Sequence, residues 1–255
     1  MAGRLLVVWD FDWSLVNENS DTWVIKECDP SGQVMKLVRD ECKQPGYSWT
    51  RAMDNACDSL HRLGKTSDDI AKALRAIPVL PGALAALRAA HEGGAELRIL
   101  SDANTVYIET ILAHLGIAQY FRPGAIVTND GRYDGSGRLR VSPHQPVDAP
   151  HSCARCPANL CKGAILKRWL VESGARCAYV GDGRNDFCPA TELQRGDFLL
   201  ARMPPHDGLL SRCKQDPKAV AATVVEWSEA QDGKALHDGM VRFLQAASGK
   251  PPSRP

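Results

Sequence analysis

The sequence predicts an α/β protein built around an open parallel sheet. Three short apolar runs, at 5–9, 97–100 and 178–180, have the composition of strands that are buried on both faces. Each run ends abruptly at polar residues, and segments with apolar residues at helical spacing lie between them. In an open α/β sheet the ligand-binding groups lie beyond the carboxyl ends of the strands. We therefore expect the polar residues that follow these runs to converge on one site.

The composition is that of a globular protein with one α/β domain and an insertion. The chain has 255 residues, of which 44% are hydrophobic and 24% are charged. Its formal net charge of +1 provides no general attraction to nucleic acid or to an anionic membrane, so we expect neither as a partner. We find no apolar run of membrane-spanning length and no signal-peptide pattern, and nine cysteines favour a reducing compartment. We predict a cytoplasmic protein that is a monomer or a homodimer.

Two carboxylates follow the first strand. Asp10 and Asp12 would share a face if the extended conformation continued, which places like charges side by side. A bound divalent cation would relieve their repulsion, and two carboxyls in unequal environments can act as nucleophile and general acid. The simpler alternative is that both residues only cap a turn. The motifs later in the chain favour the catalytic interpretation.

Residues 16–77 are predicted to form a small helical insertion between the first two core strands. Asp21 is interpreted either as a helix N-cap or as a carboxylate that attracts a cationic group. A helix over 49–63 is expected to end at Gly64, and Ser67 is expected to cap the next helix. The apolar face of the first helix would consist of Met53, Ala56, Cys57, Leu60 and Leu63. The insertion is longer than one crossover helix requires, which favours a cap over a plain connection.

The second core strand brings another polar group to the sheet edge. Pro81 is expected to open an alanine-rich helix. The strand at 97–100 then leads to Ser101 and Asp102, and a helix is expected over 105–115. A hydroxyl and free backbone amides at a strand-to-helix turn form an anion site that suits a phosphoryl group. The alternative is that Ser101 is a plain N-cap.

The loop at 151–161 carries four residues with the character of zinc ligands. They are His151, Cys153, Cys156 and Cys161. Their spacing is compressed relative to common zinc sites, so structural or redox-active cysteines are the alternative interpretation. The loop leads directly into Lys162 and would fix the position of that lysine. A structural Zn²⁺ is therefore one of two hypotheses for this segment.

Charged residues in two further segments are expected at the same site, and those of the second segment suit magnesium. Lys162 begins a helix, where the helix dipole disfavours a cation unless it neutralises a phosphate and Asp10 together. The third strand leads into 181–186, where glycines let the backbone approach a ligand closely. Asp182 and Asp186 in this segment supply hard oxygen ligands suited to Mg²⁺.

The remaining elements follow from the same patterns of hydrophobicity and turn residues. The expected elements are β structure over 125–141 with turns at 129–131 and 134–137, strands over 197–201 and 223–225, and a closing helix over 235–246. The tail 249–255 is rich in proline and should be disordered.

These motifs together resemble the haloacid-dehalogenase-like (HAD) phosphatases. The closer resemblance is to the phosphoethanolamine/phosphocholine phosphatase group, which includes pyridoxal phosphate phosphatase and plant relatives acting on thiamine monophosphate or pyrophosphate. The segments that carry this resemblance are 10–12, 17–21, 101–104, 151–162 and 181–189. Two residues depart from it, because Trp13 stands where a smaller or charged residue is frequent and Ser14 where threonine is usual. The resemblance implies a HAD-like Rossmannoid core over 1–15 and 78–248, covered by a helical C1 cap at 16–77.

The resemblance also implies a role for each motif residue. Asp10 would be the nucleophile and Asp12 the general acid and base, and Ser101 and Lys162 would complete the catalytic set. The residues assigned to the magnesium site are Asp10, Asp12 through its carbonyl, Asp182 and Asp186. Asp186 would orient Lys162 or a metal-bound water.

These roles predict a Mg²⁺-dependent phosphatase that hydrolyses a small phosphorylated metabolite through a phosphoaspartate. Asp21, Asp102, Ser14 and Asn104 are the candidate substrate-binding residues, and the two carboxylates suit a cationic alcohol such as ethanolamine or choline. Pyridoxal phosphate, thiamine monophosphate and pyrophosphate are alternatives within the same chemistry. A phosphotransferase or a non-catalytic phosphate-binding module is the alternative of a different class. Retention of Asp12 argues against lost catalysis, because binding alone does not need a general acid.

Overall fold

The computed structural model describes residues 3–248, which form a sheet flanked by helices. The strands are β1 Leu5–Trp9, β2 Glu96–Asn104, β3 Ile126–Tyr133, β4 Leu139–Ser142, β5 Arg176–Gly181, β6 Phe198–Arg202 and β7 Thr223–Trp227. The helices are α1 Ser20–Cys28, α2 Gln33–Cys42, α3 Trp49–Arg62, α4 Ser67–Arg75, α5 Pro81–Glu92, α6 Thr105–His114, α7 Lys162–Ser173, α8 Phe187–Ala190, α9 Gly208–Gln215 and α10 Ala230–Ser248. The predicted α/β class is confirmed. The disorder predicted for 249–255 lies outside the described residues.

The sheet brings the ends of three strands together. Across the described residues its strand order is β4-β3-β2-β1-β5-β6-β7, with β1 at the centre. The neighbouring strands are parallel, except that β3 and β4 form an antiparallel hairpin at one edge. Trp9 at the end of β1 lies beside Ile99 of β2 and Val180 of β5. The polar residues that follow β1, β2 and β5 therefore meet at one edge of the sheet.

Helices cover both faces of β1. Val7 and Trp9 belong to a core cluster that includes residues of α1 to α6 and α10, and neither side chain is exposed. Leu6 and Val8 point the other way and belong to a second cluster with residues of α7, α8 and α9. Side chains alternate between the two faces of a strand, so a strand that is apolar throughout requires cover on both sides. Burial of each such side chain contributes about 1.5–3 kcal/mol.

Helices α1 to α4 lie between β1 and α5 in the chain. The sequence predicted α3 and α4 but not α1 and α2, whose residues mix aromatic, polar and charged types. Asn19 is the N-cap of α1 and accepts a hydrogen bond from the Thr22 N–H at 2.9 Å, so the N-cap interpretation of Asp21 is wrong. Thr66 rather than Ser67 caps α4, because its hydroxyl and the Asp69 carboxylate form a reciprocal capping box.

The hydrophobic face predicted for α3 is correct except at its end. Leu63, just after the helix, is 53% exposed. Outside this face, Asp54 contacts the β3–β4 hairpin through three hydrogen bonds. It accepts from Arg138 Nη2 at 2.8 Å, from Arg140 Nε at 3.2 Å and from the Val141 N–H at 2.9 Å. These bonds fix α3 to the edge of the sheet.

Two predicted boundaries were wrong, and the closing helix predicted over 235–246 is confirmed. The turn expected at 129–131 lies inside β3, whereas the turn at 134–137 is confirmed by a 2.9 Å bond from the Gly137 N–H to the Asp134 carbonyl. Strand β2 extends to Asn104, which caps α6, so Ser101 lies within the strand and not at a strand-to-helix turn. Helix α10 is interrupted at its start by left-handed residues at 231–233 and is regular from there on.

Candidate active site

A buried ion-paired group lies at the centre of the sheet edge. Asp10 follows β1, Lys162 begins α7, and Asp186 lies in the loop after β5. Lys162 Nζ donates to Asp10 Oδ1 at 2.7 Å and to Asp186 Oδ1 at 2.8 Å. The Lys162 side chain is 1% exposed and that of Asp186 is fully buried. Lys162, which was expected to be disfavoured by the dipole of α7, is thus compensated by two carboxylates.

A third carboxylate completes a trio around this lysine. Carboxylate oxygens of Asp10, Asp182 and Asp186 all lie within 4.8 Å of one another. Asp186 is also held by the Tyr179 hydroxyl, which donates to its Oδ1 at 2.7 Å, and by the Gly183 N–H, which donates to its Oδ2 at 3.0 Å. These contacts hold Asp186 in place beside Lys162.

The trio carries more negative charge than Lys162 can balance. Burial, followed by repulsion from Asp186, raises the pKa of Asp10 well above its usual range. The same two causes raise the pKa of Asp182 to about 8. Burial alone would lower the pKa of Lys162, but the charges of Asp10 and Asp186 raise it above its usual value. Closely spaced hard oxygens with excess negative charge are the donor set that Mg²⁺ prefers, so these residues fit that ion.

Asp12 occupies a different environment from the trio. Its Oδ1 accepts from the Ser20 N–H at 2.9 Å and its Oδ2 accepts from Asn19 Nδ2 at 3.1 Å. Both donors belong to the start of α1. Burial raises the pKa of Asp12 to about 6, against the opposing effect of the Ser20 hydrogen bond. Asp12 can therefore exist in both protonation states close to neutral pH.

The trio borders a small cavity of about 230 Å³. The residues that line it are Asp10, Asp12, Trp13, Asn19, Trp49, Ser101, Asp102, Asp182, Gly183 and Asn185. Ser101 is 1% exposed and lies at the irregular end of β2, where its Oγ accepts from the Ala103 N–H at 3.1 Å. Asp102 accepts from Asn185 Nδ2 at 2.6 Å and from Asn159 Nδ2 at 3.2 Å, and both donors are neutral.

Three of the predicted substrate-binding residues do not line the cavity. Asp21 is buried behind Trp49, whose Nε1 donates to Asp21 Oδ2 at 2.7 Å. Burial, followed by the charge of Asp12, raises the pKa of Asp21 to about 8. Ser14 lies against Asp182, with its Oγ 3.5 Å from Oδ1, and Asn104 uses its Oδ1 to cap α6. Among the four predicted substrate-binding residues, only Asp102 reaches the cavity.

Trp13 and Arg202 are parts of the site that sequence reasoning missed. Trp13 has a left-handed backbone with φ of 56°, which is rare for a bulky residue. Arg202 stabilises it, because Nη1 donates to the Trp13 carbonyl at 2.6 Å and the guanidinium lies over the indole ring. The indole also stacks on His206 at 3.6 Å between ring centroids. Trp13 was noted only as a departure from the usual motif, and no local pattern points to Arg202.

The loop cysteines form a cluster that differs from the predicted set. The sulfur atoms of Cys153, Cys156, Cys161 and Cys188 lie within 4.8 Å of one another. His151 does not belong to the cluster. Its Nε2 hydrogen-bonds to the Pro157 carbonyl at 2.8 Å and its Nδ1 accepts from the Cys153 N–H. Cys188 was missed because it lies beyond the loop, two positions after Asp186 and inside the 181–189 motif segment.

All nine cysteines of the chain fall within the described residues, where each is a free thiol.

Helices long and apolar enough to cross a membrane are absent from the described part of the chain.

A comparison with solved structures identifies the fold. The chain is similar to a structure titled "Phospho-Aspartyl Intermediate Analogue of Phosphoserine phosphatase", with a TM-score of 0.55 and 18% identity. The similarity covers 83% of this chain and 91% of the other. At this identity the likeness defines the fold alone. The class of protein is therefore an α/β protein with the fold of the HAD phosphatases.

Sequence comparisons identify the family. Residues 5–241 match the family model described as Putative Phosphatase. The chain is 39% identical to inorganic pyrophosphatase 2 of Arabidopsis thaliana, over 90% of this chain and 81% of the relative. It is 34% identical to human phosphoethanolamine/phosphocholine phosphatase, over 91% of this chain and 87% of the relative. The chain belongs to the Putative Phosphatase family, and its reaction class is phosphoric ester hydrolysis.

Proposed function

We propose that this protein is a Mg²⁺-dependent phosphatase that transfers the phosphoryl group of a small phosphate monoester to Asp10 and then to water. The observation that supports this most directly is the buried contact of Lys162 with Asp10 and Asp186 at 2.7 and 2.8 Å, beside a cavity. A carboxylate can attack phosphorus only if nearby positive charge offsets its repulsion from the anionic phosphate. Lys162 supplies one such charge at Asp10.

The magnesium site would use residues of the trio. Asp10, Asp182 and the carbonyl of Asp12 would hold Mg²⁺, while Asp186 keeps Lys162 in place. When bound, the ion supplies positive charge that further reduces the repulsion between Asp10 and the phosphate. Ser101, whose hydroxyl borders the cavity, would hold an oxygen of the transferring group.

Asp12 would move the proton. Its pKa of about 6 keeps a share of the carboxyl protonated near neutral pH, so that it can protonate the leaving oxygen. The carboxylate that results can then take a proton from the water that hydrolyses the phosphorylated Asp10. The hydrogen bonds from Asn19 and the Ser20 N–H hold Asp12 in position for both steps.

The walls of the cavity favour a substrate with a cationic group. Asp10, Asp12, Asp102 and Asp182 contribute carboxylates, and the lining residues of the described chain include no lysine or arginine. Trp49 adds an aromatic ring, which attracts ammonium groups. We propose phosphoethanolamine or phosphocholine as the substrate class, with Asp102 and Trp49 facing the ammonium.

Inorganic pyrophosphate is the second candidate. The 39% identity to a plant inorganic pyrophosphatase favours it, and the same Asp10 chemistry would cleave it. Pyridoxal phosphate and thiamine monophosphate are further candidate substrates. A comparison of kcat/KM values in a phosphate-release assay distinguishes all of these candidates.

Helices α1 to α4 would act as the cap over the core. Asn19 at the start of α1 and Trp49 at the start of α3 both line the cavity, opposite the strand ends. A wall of this kind excludes water from the phosphoryl group during transfer. Nine free thiols favour a reducing compartment such as the cytoplasm for this reaction.

The test is a phosphate-release assay with five substrates: phosphoethanolamine, phosphocholine, pyridoxal phosphate, thiamine monophosphate and pyrophosphate. We expect release with Mg²⁺, none with a chelator, and the highest kcat/KM for the two ammonium esters. Asp10→Asn should abolish release and the acid-stable, alkali-labile label left on the chain by ³²P-labelled substrate. Asp130→Asn, an exposed carboxylate of β3, is the matched control and should retain both.

Three results would contradict the proposal. Unchanged release by Asp10→Asn would exclude Asp10 as the nucleophile. Transfer of the label to added choline or ethanolamine in preference to water would identify a phosphotransferase, and binding of all five compounds without release would identify a phosphate-binding module.

A further inference from the structure

The cysteine cluster lies outside the cavity and has no part in the proposed reaction. Cys153, Cys156 and Cys161 lie in the loop before α7, and Cys188 lies in α8. Cys161 and Cys188 are buried, and the other two are half-buried. We propose that these four cysteines bind one structural Zn²⁺ ion.

The spacing of the sulfur atoms supports zinc binding. In a tetrahedral site with zinc–sulfur bonds of about 2.3 Å, the sulfur atoms are about 3.8 Å apart. Cys153 Sγ and Cys188 Sγ are 3.7 Å apart. A disulfide would need a separation of about 2.05 Å, so this pair is not one. Four sulfurs that are mutually within 4.8 Å form the closed ligand set of a structural zinc site.

Two backbone N–H groups are directed at sulfur atoms of the cluster, and hydrogen bonds of this kind stabilise the thiolate form that binds metal. The Ala164 N–H donates to the sulfur of Cys161, and the Gly163 N–H donates to the sulfur of Cys188. Both amides belong to the first turn of α7, where the helix dipole also favours negative charge. The neighbouring His151 is already bonded to the Pro157 carbonyl and to the backbone of Cys153, so it is not needed as a ligand.

The zinc site would connect two parts of the catalytic apparatus. Cys161 directly precedes Lys162, and Cys188 follows Asp186 by two positions. One ion that binds both cysteines therefore holds the start of α7 against α8. This restrains the 2.8 Å contact between Lys162 and Asp186. The four cysteines are positioning residues in this account, since none of them lines the cavity.

The close packing of Gly163 provides a mild way to disturb the site. A Cβ atom at Gly163 would lie 2.4 Å from Cys188 Sγ, so an alanine there must displace that sulfur. A Cβ atom at Gly135, in the β3–β4 turn, would meet open space. Gly163→Ala and Gly135→Ala are therefore a matched pair that leaves all four ligands in the sequence.

The first experiment measures the metal content of the full chain, purified without a metal-binding tag. We expect one zinc per chain by elemental analysis, and the Co²⁺-substituted protein should show the absorption of four thiolates around tetrahedral cobalt. Cys188→Ser should lose the zinc, whereas His151→Ala should keep it. Wild-type protein that neither contains zinc nor takes up added Zn²⁺ would overturn the proposal. The reverse pattern in the two variants would overturn it as well, because it would assign the ligand to His151.

The second experiment applies if Cys188→Ser does not fold. Competition with a chelator should show that Gly163→Ala releases Zn²⁺ about 10–100-fold more readily than the wild type, which is the usual effect of disturbing the surroundings of a ligand. Gly135→Ala should match the wild type. Equal affinity in all three proteins would show that Cys188 is not a ligand. These readouts do not depend on phosphatase activity, so their failure is separate from failure of the proposed function.

Discussion

The cavity has two walls that are built in different ways. The core wall consists of Asp10, Ser101 and Asp182 at the strand ends, supported by Lys162 and Asp186. The helical wall consists of Asn19 and Trp49. Asn19 donates a hydrogen bond to Asp12, and Trp49 donates one to Asp21. Charge on the core wall is partly offset by a buried lysine at 2.7 Å, whereas the carboxyls of the helical wall are held by neutral donors.

In the proposed function, this difference separates the residues that transfer the phosphoryl group from those that recognise the substrate. An arrangement of full charges at the ends of sheet strands cannot shift without a large loss of free energy, so it suits phosphoryl transfer. A wall held by neutral hydrogen bonds on helices can change with less cost to the fold. We therefore expect substitutions in the core wall to reduce kcat and stability together, and substitutions in the helical wall to change proton transfer or KM.

Lys162→Met should have the largest effect on stability and activity taken together, because it leaves Asp10 and Asp186 buried without a cation. We expect the free energy of unfolding to fall by about 3–5 kcal/mol and kcat to fall by about 10²–10³-fold. Urea denaturation in the presence of a chelator and phosphate release with Mg²⁺ measure the two quantities. Lys167→Met, on the same helix with a side chain 68% exposed, should change stability by no more than about 0.5 kcal/mol. Similar losses in both variants would contradict this account of the core wall.

Asp12→Asn should reduce turnover of an alkyl phosphate by about 10²–10⁴-fold, because the leaving oxygen is no longer protonated. An aryl phosphate, whose leaving group needs no proton, should still phosphorylate Asp10 rapidly. Hydrolysis of the phosphorylated Asp10 should then be slow, since the base is also lost. Rapid-kinetic measurements should show a burst of phenol release from the aryl ester and no burst of choline release from phosphocholine. A slow first step with both esters would show that Asp12 acts in some other way.

Trp49→Leu should raise KM for phosphocholine by about 3–30-fold, which corresponds to the usual 0.5–2 kcal/mol of an ammonium–aromatic contact. The KM for pyrophosphate and both kcat values should change little, because the core wall is intact. Steady-state kinetics with the two substrates provide the measurement. Trp23→Leu is the control, since the Trp23 indole donates to the Ala73 carbonyl and does not line the cavity. Equal changes in KM for both substrates would exclude recognition of the ammonium by Trp49.

Asp21→Asn should have the smallest effect, and it should depend on pH. The pKa of Asp21 is raised from 3.8 to about 8, so the folded protein binds this proton more tightly than the unfolded chain does. Its contribution to stability is therefore lost as the pH rises from 3.8 through 8. Asparagine cannot ionise and still offers an oxygen to Trp49 Nε1, so the variant should lose less stability over this range than the wild type.

Thermal denaturation at a series of pH values measures this difference. Asp29→Asn should behave in the opposite way, because hydrogen bonds from Ser31 and the Val34 N–H lower the pKa of Asp29. The contribution of Asp29 to stability is present above its ordinary pKa of 3.8 and is lost as the pH falls below that value. Parallel pH profiles for the wild type and Asp21→Asn would show that Asp21 ionises normally.

The core wall could be predicted from the sequence, because each of its parts is a contiguous pattern. A buried apolar run with a carboxylate or hydroxyl within two residues of its end identifies Asp10, Ser101 and Asp182, and parallel pairing then brings them together. The helical wall could not be predicted in the same way. Asp21 is a conspicuous carboxylate, but the Trp49 indole covers it, and the two residues are far apart in the chain.

Other errors came from local signals that tertiary contacts override. Asn129 and Gly131 have the composition of a turn, yet they lie in β3. Asn129 Nδ2 donates to the Asp102 carbonyl at 2.6 Å, and the Gly131 N–H donates to Thr105 Oγ1 at 2.9 Å. Cys188 was missed for the opposite reason, since no local spacing connects it to the cysteines of the loop.

The attachment of α3 to the edge hairpin has a consequence for substrate entry. Asp54 anchors this helix through two arginines and a backbone amide, so Trp49, on the same helix, is anchored as well. Asn19 caps α1, and α1 is joined directly to α3 by the 2.7 Å hydrogen bond from Trp49 Nε1 to Asp21 Oδ2. The hairpin therefore holds α3 and, through the Trp49–Asp21 bond, α1 as well, so an incoming head group meets an indole whose position is set from both sides.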